Sequence, residues 1–400
     1  MNREKRDPLA RRKERHVPPG ARSRAMHAMS ARAAMGRFVL QGCVDCGEVT
    51  YPPRDACPRC WGELQWTDRD RGARVLSETI IRVSTDLYFR GQLPWRMGKV
   101  ELDAGPVALA HLHAGLKVGE RAEMRLMLDR GGNAALFALP AGREPDMGDR
   151  QWREFVVPVK DRTILVSDAR SAIGRAVVHA LHAAGAGHIV AGLAPPARVA
   201  DQSDGVSGLT RVQPVPLDLT DPVMVAECMS KIAGPLDIVI NTARLVRGGG
   251  VSADGNLVEQ RRMLDIAVLG FMRLAQASAP LLQGRPSGAF VDLLSAQALA
   301  GDSDCAGYAA GEAARHSLLQ SFRHEMRAVG VRVLSVFTGP SDDEDHQSAP
   351  PPKVAPLRLA RAIIEALEAG REVSCVGDVA VDAMDRWLAD PALYMREKNL

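Results

Sequence analysis

Four cysteines in two pairs, Cys43-x-x-Cys46 and Cys57-x-x-Cys60, constrain this chain more tightly than any other feature of its sequence. Each pair makes a tight turn that aims two thiolates at one point. Two such turns supply four soft sulfur ligands in a tetrahedron, the arrangement that suits Zn²⁺. Gly47 and Pro58 add turn chemistry beside the ligands. One pair alone would leave a redox role open; two pairs at this spacing read as a structural zinc site. Four protein ligands leave no open position, so no catalysis is assigned to the metal. The other three cysteines, Cys228, Cys305 and Cys375, are scattered. An odd count with two close pairs reads as metal binding in a reducing compartment, and the expected location is cytoplasmic.

A chain of 400 residues is too long for one ordinary core. Its 51 basic and 48 acidic residues nearly balance, which gives no electrostatic case for nucleic acid as a partner. Aromatic residues make up only 4%, which argues against base-stacking platforms. No apolar run is long and charge-free enough to span a membrane. Residues 1–37 are rich in arginine, lack the apolar segment of a secretory signal, and read as a basic, disordered arm ending in a short helix around Arg24 to Met35. A sharper reading has this arm docking on an acidic partner or RNA.

The zinc ribbon is placed at 38–66. Between 67 and 140, short alternating runs such as Val75–Val83, Val107–Leu112 and Ala122–Leu128 are separated by glycine turns. Five strands of this kind suggest a small barrel such as an OB-fold, although periodicity alone does not choose among barrels. His111 and His113, on one face of a strand, read as ordinary barrel histidines. Residues 141–160, with charges, Gly and Pro in place of periodic apolar positions, read as a linker.

The order of CxxCG, PPR, CPxC, Trp66, VELDAGP and LKVGE resembles the zinc-ribbon/OB-fold DUF35 family of acyl-CoA-associated proteins over roughly residues 38–140. That resemblance implies an accessory role, with acyl-CoA and a thiolase-fold enzyme as partners. A purely structural module is the alternative.

From 161 to 400, apolar strands alternate with amphipathic helices, the signature of an α/β Rossmann domain. The strands begin at Thr163, His188, Val212, Leu236, Ala289 and Val331. Their motifs resemble those of the short-chain dehydrogenase/reductase family. The turn SDARSAIG from Ser167 to Gly174 takes the place of the glycine-rich turn, and LDLTD carries Asp218. NTAR from Asn241 stands for NNAG, Ser295 stands at the serine position, and Tyr308 begins YAAGE in place of YxxxK. Gly339-Pro340 follows the sixth strand. The resemblance implies NAD(P) contacts at Ser167, Arg170, Ile173, Gly174, Asp218 and Asn241, and dimerisation through the helix Met263 to Leu282, as a homodimer or hetero-oligomer.

The departures bear on activity. Glu312 occupies the lysine position, where a carboxylate raises the tyrosine pKa that an ammonium would lower. Ala267, three residues before Gly270, replaces the relay asparagine. Asp168 and Ala172 replace two glycines of the phosphate turn, and an Asp there competes with phosphate for the same N–H groups. Arg170 could offset part of this. The end of the second strand, Ala191-Gly-Leu, lacks the acid that would hold a ribose hydroxyl. The acidic stretch Ser341 to Lys353 reads as a mobile loop. Two readings follow: a pseudoenzyme kept for assembly in acyl-CoA metabolism, or a divergent reductase that uses Ser295 and Tyr308 on a 3-hydroxyacyl-CoA or ketone.

Overall fold

The computed structural model describes residues 17–18, 23–194, 205–232, 234–252, 257–285 and 287–398. Helix α1 (Arg24–Ala34) starts at the Ser23 cap, whose hydroxyl accepts from the Met26 N–H at 3.3 Å. It is no free arm: Met29 and Ala33 are buried against the barrel described below. The basic residues 1–16 ahead of it lie outside the described residues.

Strands β1 (Val39–Cys43), β2 (Val49–Thr50) and β3 (Leu64–Asp68) form a three-stranded antiparallel ribbon with β1 in the middle. Five strands then close a barrel: β4 (Gly72–Ile81), β5 (Trp95–Leu102), β6 (Val107–Leu112), β7 (Arg121–Leu128) and β8 (Ala134–Pro140). They run in the order β4-β5-β6-β8-β7, with only β6 and β8 parallel, which is an OB-like closure. A register shift between Val75 and Ser77 on β4 gives that strand the extra twist a small barrel needs. A short helix, α2 (Leu87–Gln92), sits between β4 and β5.

The stretch 141–160 differs from a solvated linker. Trp152, Phe155, Val156, Val157 and Val159 are all buried, the first three against Trp95, Phe137 and Met127 of the barrel. The Val157 N–H donates to the Leu367 carbonyl at 2.9 Å, so this segment cements the two halves together. Its apolar residues cluster at one end without helical or strand period, so a period-based reading passes over them.

The second half is a seven-stranded parallel sheet: β9 (Thr163–Val166), β10 (His188–Leu193), β11 (Val212–Pro216), β12 (Ile238–Asn241), β13 (Ala289–Ser295), β14 (Arg332–Thr338) and β15 (Val373–Val376). The order is β11-β10-β9-β12-β13-β14-β15. Near-continuous apolar strands follow from burial on both faces. Alternation along each strand decides which face a side chain serves: Leu165 joins one core, while Ile164 and Val166 join the other. Helices α3 (Ala172–Ala183) and α8 (Pro356–Glu368) cover the second core. Helices α4 (Pro222–Ser230), α6 (Phe271–Leu282), α7 (Ala306–Arg327) and α9 (Asp378–Ala389) cover the first. The expected helix from Met263 to Leu282 is interrupted: α5 (Leu257–Leu264) leads into a π-helical turn, Asp265–Gly270, before α6. Helix α10 (Pro391–Glu397) packs on α9.

Candidate active-site cleft and metal centre

The four cysteine Sγ atoms converge to within 4.8 Å of one another. The separations are 3.4 Å for Cys43–Cys60, 3.7 Å for Cys46–Cys57 and 3.4 Å for Cys46–Cys60. A tetrahedral zinc with bonds of about 2.3 Å sets sulfur–sulfur edges near 3.8 Å, so the donor set fits that ion. Backbone geometry builds both turns: the Gly47 N–H donates to the Cys43 carbonyl, and the Trp61 N–H to that of Cys57. Gly47 adopts a φ of 71°, a conformation glycine reaches without strain. With four thiolates around it, such an ion holds the fold and meets no substrate.

In the parallel half, ligand-binding chemistry belongs at the carboxyl ends of the strands, where the order reverses around β9. The turn after β9 is occupied in part by its own side chains. The Asp168 carboxylate accepts from the Arg170 N–H at 3.0 Å, and Ser171, the α3 cap, accepts from the Gly174 N–H at 3.0 Å. Burial raises the Asp168 pKa, and the backbone donors of Arg170 and Ser171 pull against it. Gly174 survives because a Cβ there would lie 1.7 Å from the Asp168 carbonyl oxygen. Ile173 is buried in the core beneath the turn, and the Arg170 side chain donates to the Ala194 carbonyl at 2.8 Å. Ser167 donates to Asn241 Oδ1 at 2.7 Å, and its oxygen accepts the Thr242 N–H at 2.9 Å. Asp218 accepts from the N–H and hydroxyl of Thr220. Of the six residues matched to cofactor contacts, Ser167 and Asn241 are bonded to each other, while Arg170, Gly174 and Asp218 are bonded to neighbouring residues and Ile173 is packed in the core.

Ser295 ends β13, and Tyr308 and Glu312 lie one helical turn apart on α7. The serine and tyrosine side chains are hydrogen-bonded. Glu312 is fully buried: one oxygen accepts from the Ser295 N–H at 2.6 Å and the other from Arg315 Nη2 at 2.6 Å. Arg315 is the largest fully buried side chain. It also donates to the Leu293 carbonyl at 2.6 Å and the Ala243 carbonyl at 3.1 Å, and its Nε stands 3.5 Å from Asp292. Asn241 donates to Asp292 Oδ1 at 2.7 Å, which links this cluster back to Ser167. Burial and then the charge of Glu312 push the Tyr308 hydroxyl well above its ordinary value. The nearby cations, Arg244 and Arg315, pull it down less. Ala267 is buried in the π turn, where the position of a Gly311 Cβ would be 3.1 Å from its own. Helix α7 therefore approaches too closely at this point to leave space for a longer polar side chain.

The stretch Ser341 to Lys353, expected to be a mobile loop, is tied down as a latch. The acidic stretch after β14 is anchored: Arg244 donates to Ser341 Oγ at 2.6 Å and to Asp343 at 2.7 Å. His346 Nδ1 lies 2.9 Å from Asp343, and Lys353 donates to the His346 carbonyl at 2.8 Å. Burial works against the Asp343 charge, but His346, Ser341 and Arg244 outweigh it and hold the carboxyl well below its ordinary value. Arg244 follows β12 and Asp343 follows β14, so their pair crosses over the end of β13 that carries Ser295. The signal was present as complementary charge, an arginine where the resembled motif has glycine and an aspartate beyond Pro340. Beside this latch, Ser295, Gln297, Cys305 and His346 line a cavity of about 670 Å³. The latch crosses the cleft, and Asp168 and Ser171 take the Arg170, Ser171 and Gly174 N–H groups that a dinucleotide phosphate would otherwise meet.

Comparisons with known proteins agree with this division of the chain. Residues 162–351 match the short chain dehydrogenase family, and residues 31–66 match the ChsH2 rubredoxin-like zinc ribbon domain. An uncharacterized oxidoreductase of Staphylococcus aureus is 30% identical over 231 residues, covering 55% of this chain and 96% of that protein. One from Staphylococcus epidermidis is 28% identical over 189 residues, covering 46% and 80%. A short chain dehydrogenase from Burkholderia cenocepacia, solved in complex with NADP, shares 28% identity with a TM-score of 0.55, covering 60% of this chain and 98% of its own.

Proposed function

This chain belongs to the short-chain dehydrogenase family, with a ChsH2-type zinc ribbon ahead of that domain, and from that premise we propose that its dehydrogenase half is a non-catalytic scaffold. The observation that carries the reading is the placement of Glu312. In an active member a lysine there sets an ammonium beside the tyrosine; here a carboxylate tied to the Ser295 N–H and Arg315 fills the space. Ser295 and Tyr308 remain in contact, but the proton on Tyr308 is held more firmly, not less. The reaction chemistry of the family loses its acid.

The role left to the fold is assembly in acyl-CoA metabolism. The ribbon and barrel would bind acyl-CoA and dock on a thiolase-fold enzyme. Support comes from the motif resemblance over 38–140 and from Val44 and Trp61, both exposed beside the cysteine turns. The dehydrogenase half would pair subunits through α5, the π turn and α6, where Val258, Leu264, Leu269 and Met272 are exposed. Seven unpaired cysteines suit a reducing, cytoplasmic location. Among the described residues no helix is long and apolar enough to cross a membrane.

The test is a fluorescence titration of the full chain with NADH and NADPH. No binding at millimolar cofactor, together with co-purification of a thiolase-fold protein, is the expected result. A second reading, a divergent reductase, is favoured by the intact Ser295–Tyr308 contact and the cavity beside it. Micromolar binding of either nucleotide would overturn the scaffold reading in its favour.

A further inference from the structure

At the opposite edge of the parallel sheet, where the strands begin, a second cavity of about 400 Å³ opens between the barrel and the dehydrogenase half. Arg130, from the turn after β7, and Arg150, Arg153 and Glu154, from the connecting segment, line one side. Arg285 and Ser287, from the loop between α6 and β13, line the other.

The charges here do not cancel. Glu154 is consumed by Arg130, at 2.8 and 3.1 Å, and by the Tyr88 hydroxyl at 2.8 Å. Asp237 accepts from Arg285 at 3.0 Å and lies 3.5 Å from Arg162. Among the described residues Arg150 reaches the Gly91 carbonyl and Gln92. Arg153 has no carboxylate partner among the described residues. Among the described residues, the five guanidiniums of Arg130, Arg150, Arg153, Arg162 and Arg285 form ion pairs with only two carboxylates, Glu154 and Asp237. Arg162 feels this crowding: burial first, and then Arg153, Arg285 and Arg130, lower its pKa, with Asp237 acting against them.

Two buried donors point the same way. Ser287 is 5% exposed, and its hydroxyl has no hydrogen-bond partner although it lines the cavity. Arg162 Nη2, on the strand-start side of the same cluster, is buried and unpartnered as well. A buried polar group without a partner is costly, and a cluster of like charges adds to that cost. An anion carrying several oxygens would relieve both, with guanidiniums as charged donors and the serine as a neutral one.

We propose that this cavity is a binding site for a diphosphate-bearing ligand, separate from the cleft at the carboxyl ends of the strands. The excess of guanidiniums and the size of the cavity favour two phosphoryl groups over one. Because residues of both halves line the site, ligand binding would also strengthen their joint.

The test is calorimetric titration of the full chain with inorganic pyrophosphate, alongside the variants Arg153→Gln and Ser287→Ala. Neither side chain holds another part of the protein, so unchanged melting temperatures should accompany both. The expected result is saturable binding of one pyrophosphate per chain, weakened roughly tenfold or more by Arg153→Gln and about threefold to tenfold by Ser287→Ala. A parallel titration with ADP separates the sources: variant-sensitive ADP binding assigns the site to a nucleotide, and pyrophosphate binding without ADP binding assigns it to the free diphosphate. No saturable binding up to about 5 mM, or binding that neither variant weakens, would overturn the proposal.

Discussion

Asp292, Arg315 and Glu312 place three charges in a space with no solvent access. Burial pushes the Asp292 carboxyl up to about 6, against the pull of Arg315 and Asn241 and with the help of Glu312. An unfolded aspartate loses its proton near pH 4. Between about pH 4 and 6 the folded chain therefore holds a proton that the unfolded chain releases, and the stability this group contributes is lost as pH rises through 6. Asp292→Asn keeps an acceptor for Asn241 but removes the titration. Wild type should be at its most stable relative to this variant at pH 4 and lose up to about 3 kcal/mol of that difference by pH 7, read from denaturant melts at each pH. A pH-independent difference would contradict the placement of the proton. The same cluster decides what Glu312→Lys would do: it would set an ammonium against Arg315 in one buried pocket. Restoring the family's lysine therefore requires neutralising Arg315 in the same molecule.

At the scale of elements, the ribbon depends on its metal more than on its strands. β2 has two residues, and β3 is mostly exposed. Chelation should release one zinc per chain, measured colorimetrically. It should remove amide-exchange protection from 38–68 while leaving β9 to β15 protected. Equal loss in both regions would mean that the ribbon is not the unit the zinc holds. This element was legible in the sequence because its ligands lie close along the chain, and the barrel strands were legible as short runs between glycine turns, although their periodicity did not choose the barrel. The charged cluster was not. Asp292 reads as one polar residue in an apolar strand and Arg315 as a helix surface residue, and nothing local says that 23 residues later they face each other. The latch escaped for a related reason: an acidic, proline-rich stretch looks solvated until its arginine is found 99 positions away. The π turn has no composition of its own, so one continuous helix was the natural reading.

For the whole molecule, the joint between the halves rests on few polar contacts over an apolar base. Arg332 is the central one: at the start of β14 it donates to the carbonyls of Leu128 at 3.0 Å and Glu154 at 2.9 Å. Replacing it with methionine keeps most of the volume but leaves two buried carbonyls without a donor, each costing about 1–3 kcal/mol. Calorimetry of Arg332→Met should show unfolding split into two transitions, with the dehydrogenase half keeping its own melting temperature. A single unshifted transition would refute the coupling. The first helix adds a further tie, because the Glu372 N–H donates to the Ala34 carbonyl at 2.9 Å. That bond joins a residue ahead of the ribbon to one just before the last strand of the parallel sheet. The barrel can close on the ribosome, since its strands and metal ligands emerge first. Its seat, which needs Arg332, Leu367 and Glu372, does not exist until those later residues have been translated. A newly made ribbon and barrel must therefore remain soluble, with the apolar surface at Val157 and Val159 uncovered, while the dehydrogenase strands and helices that bury it are still being translated.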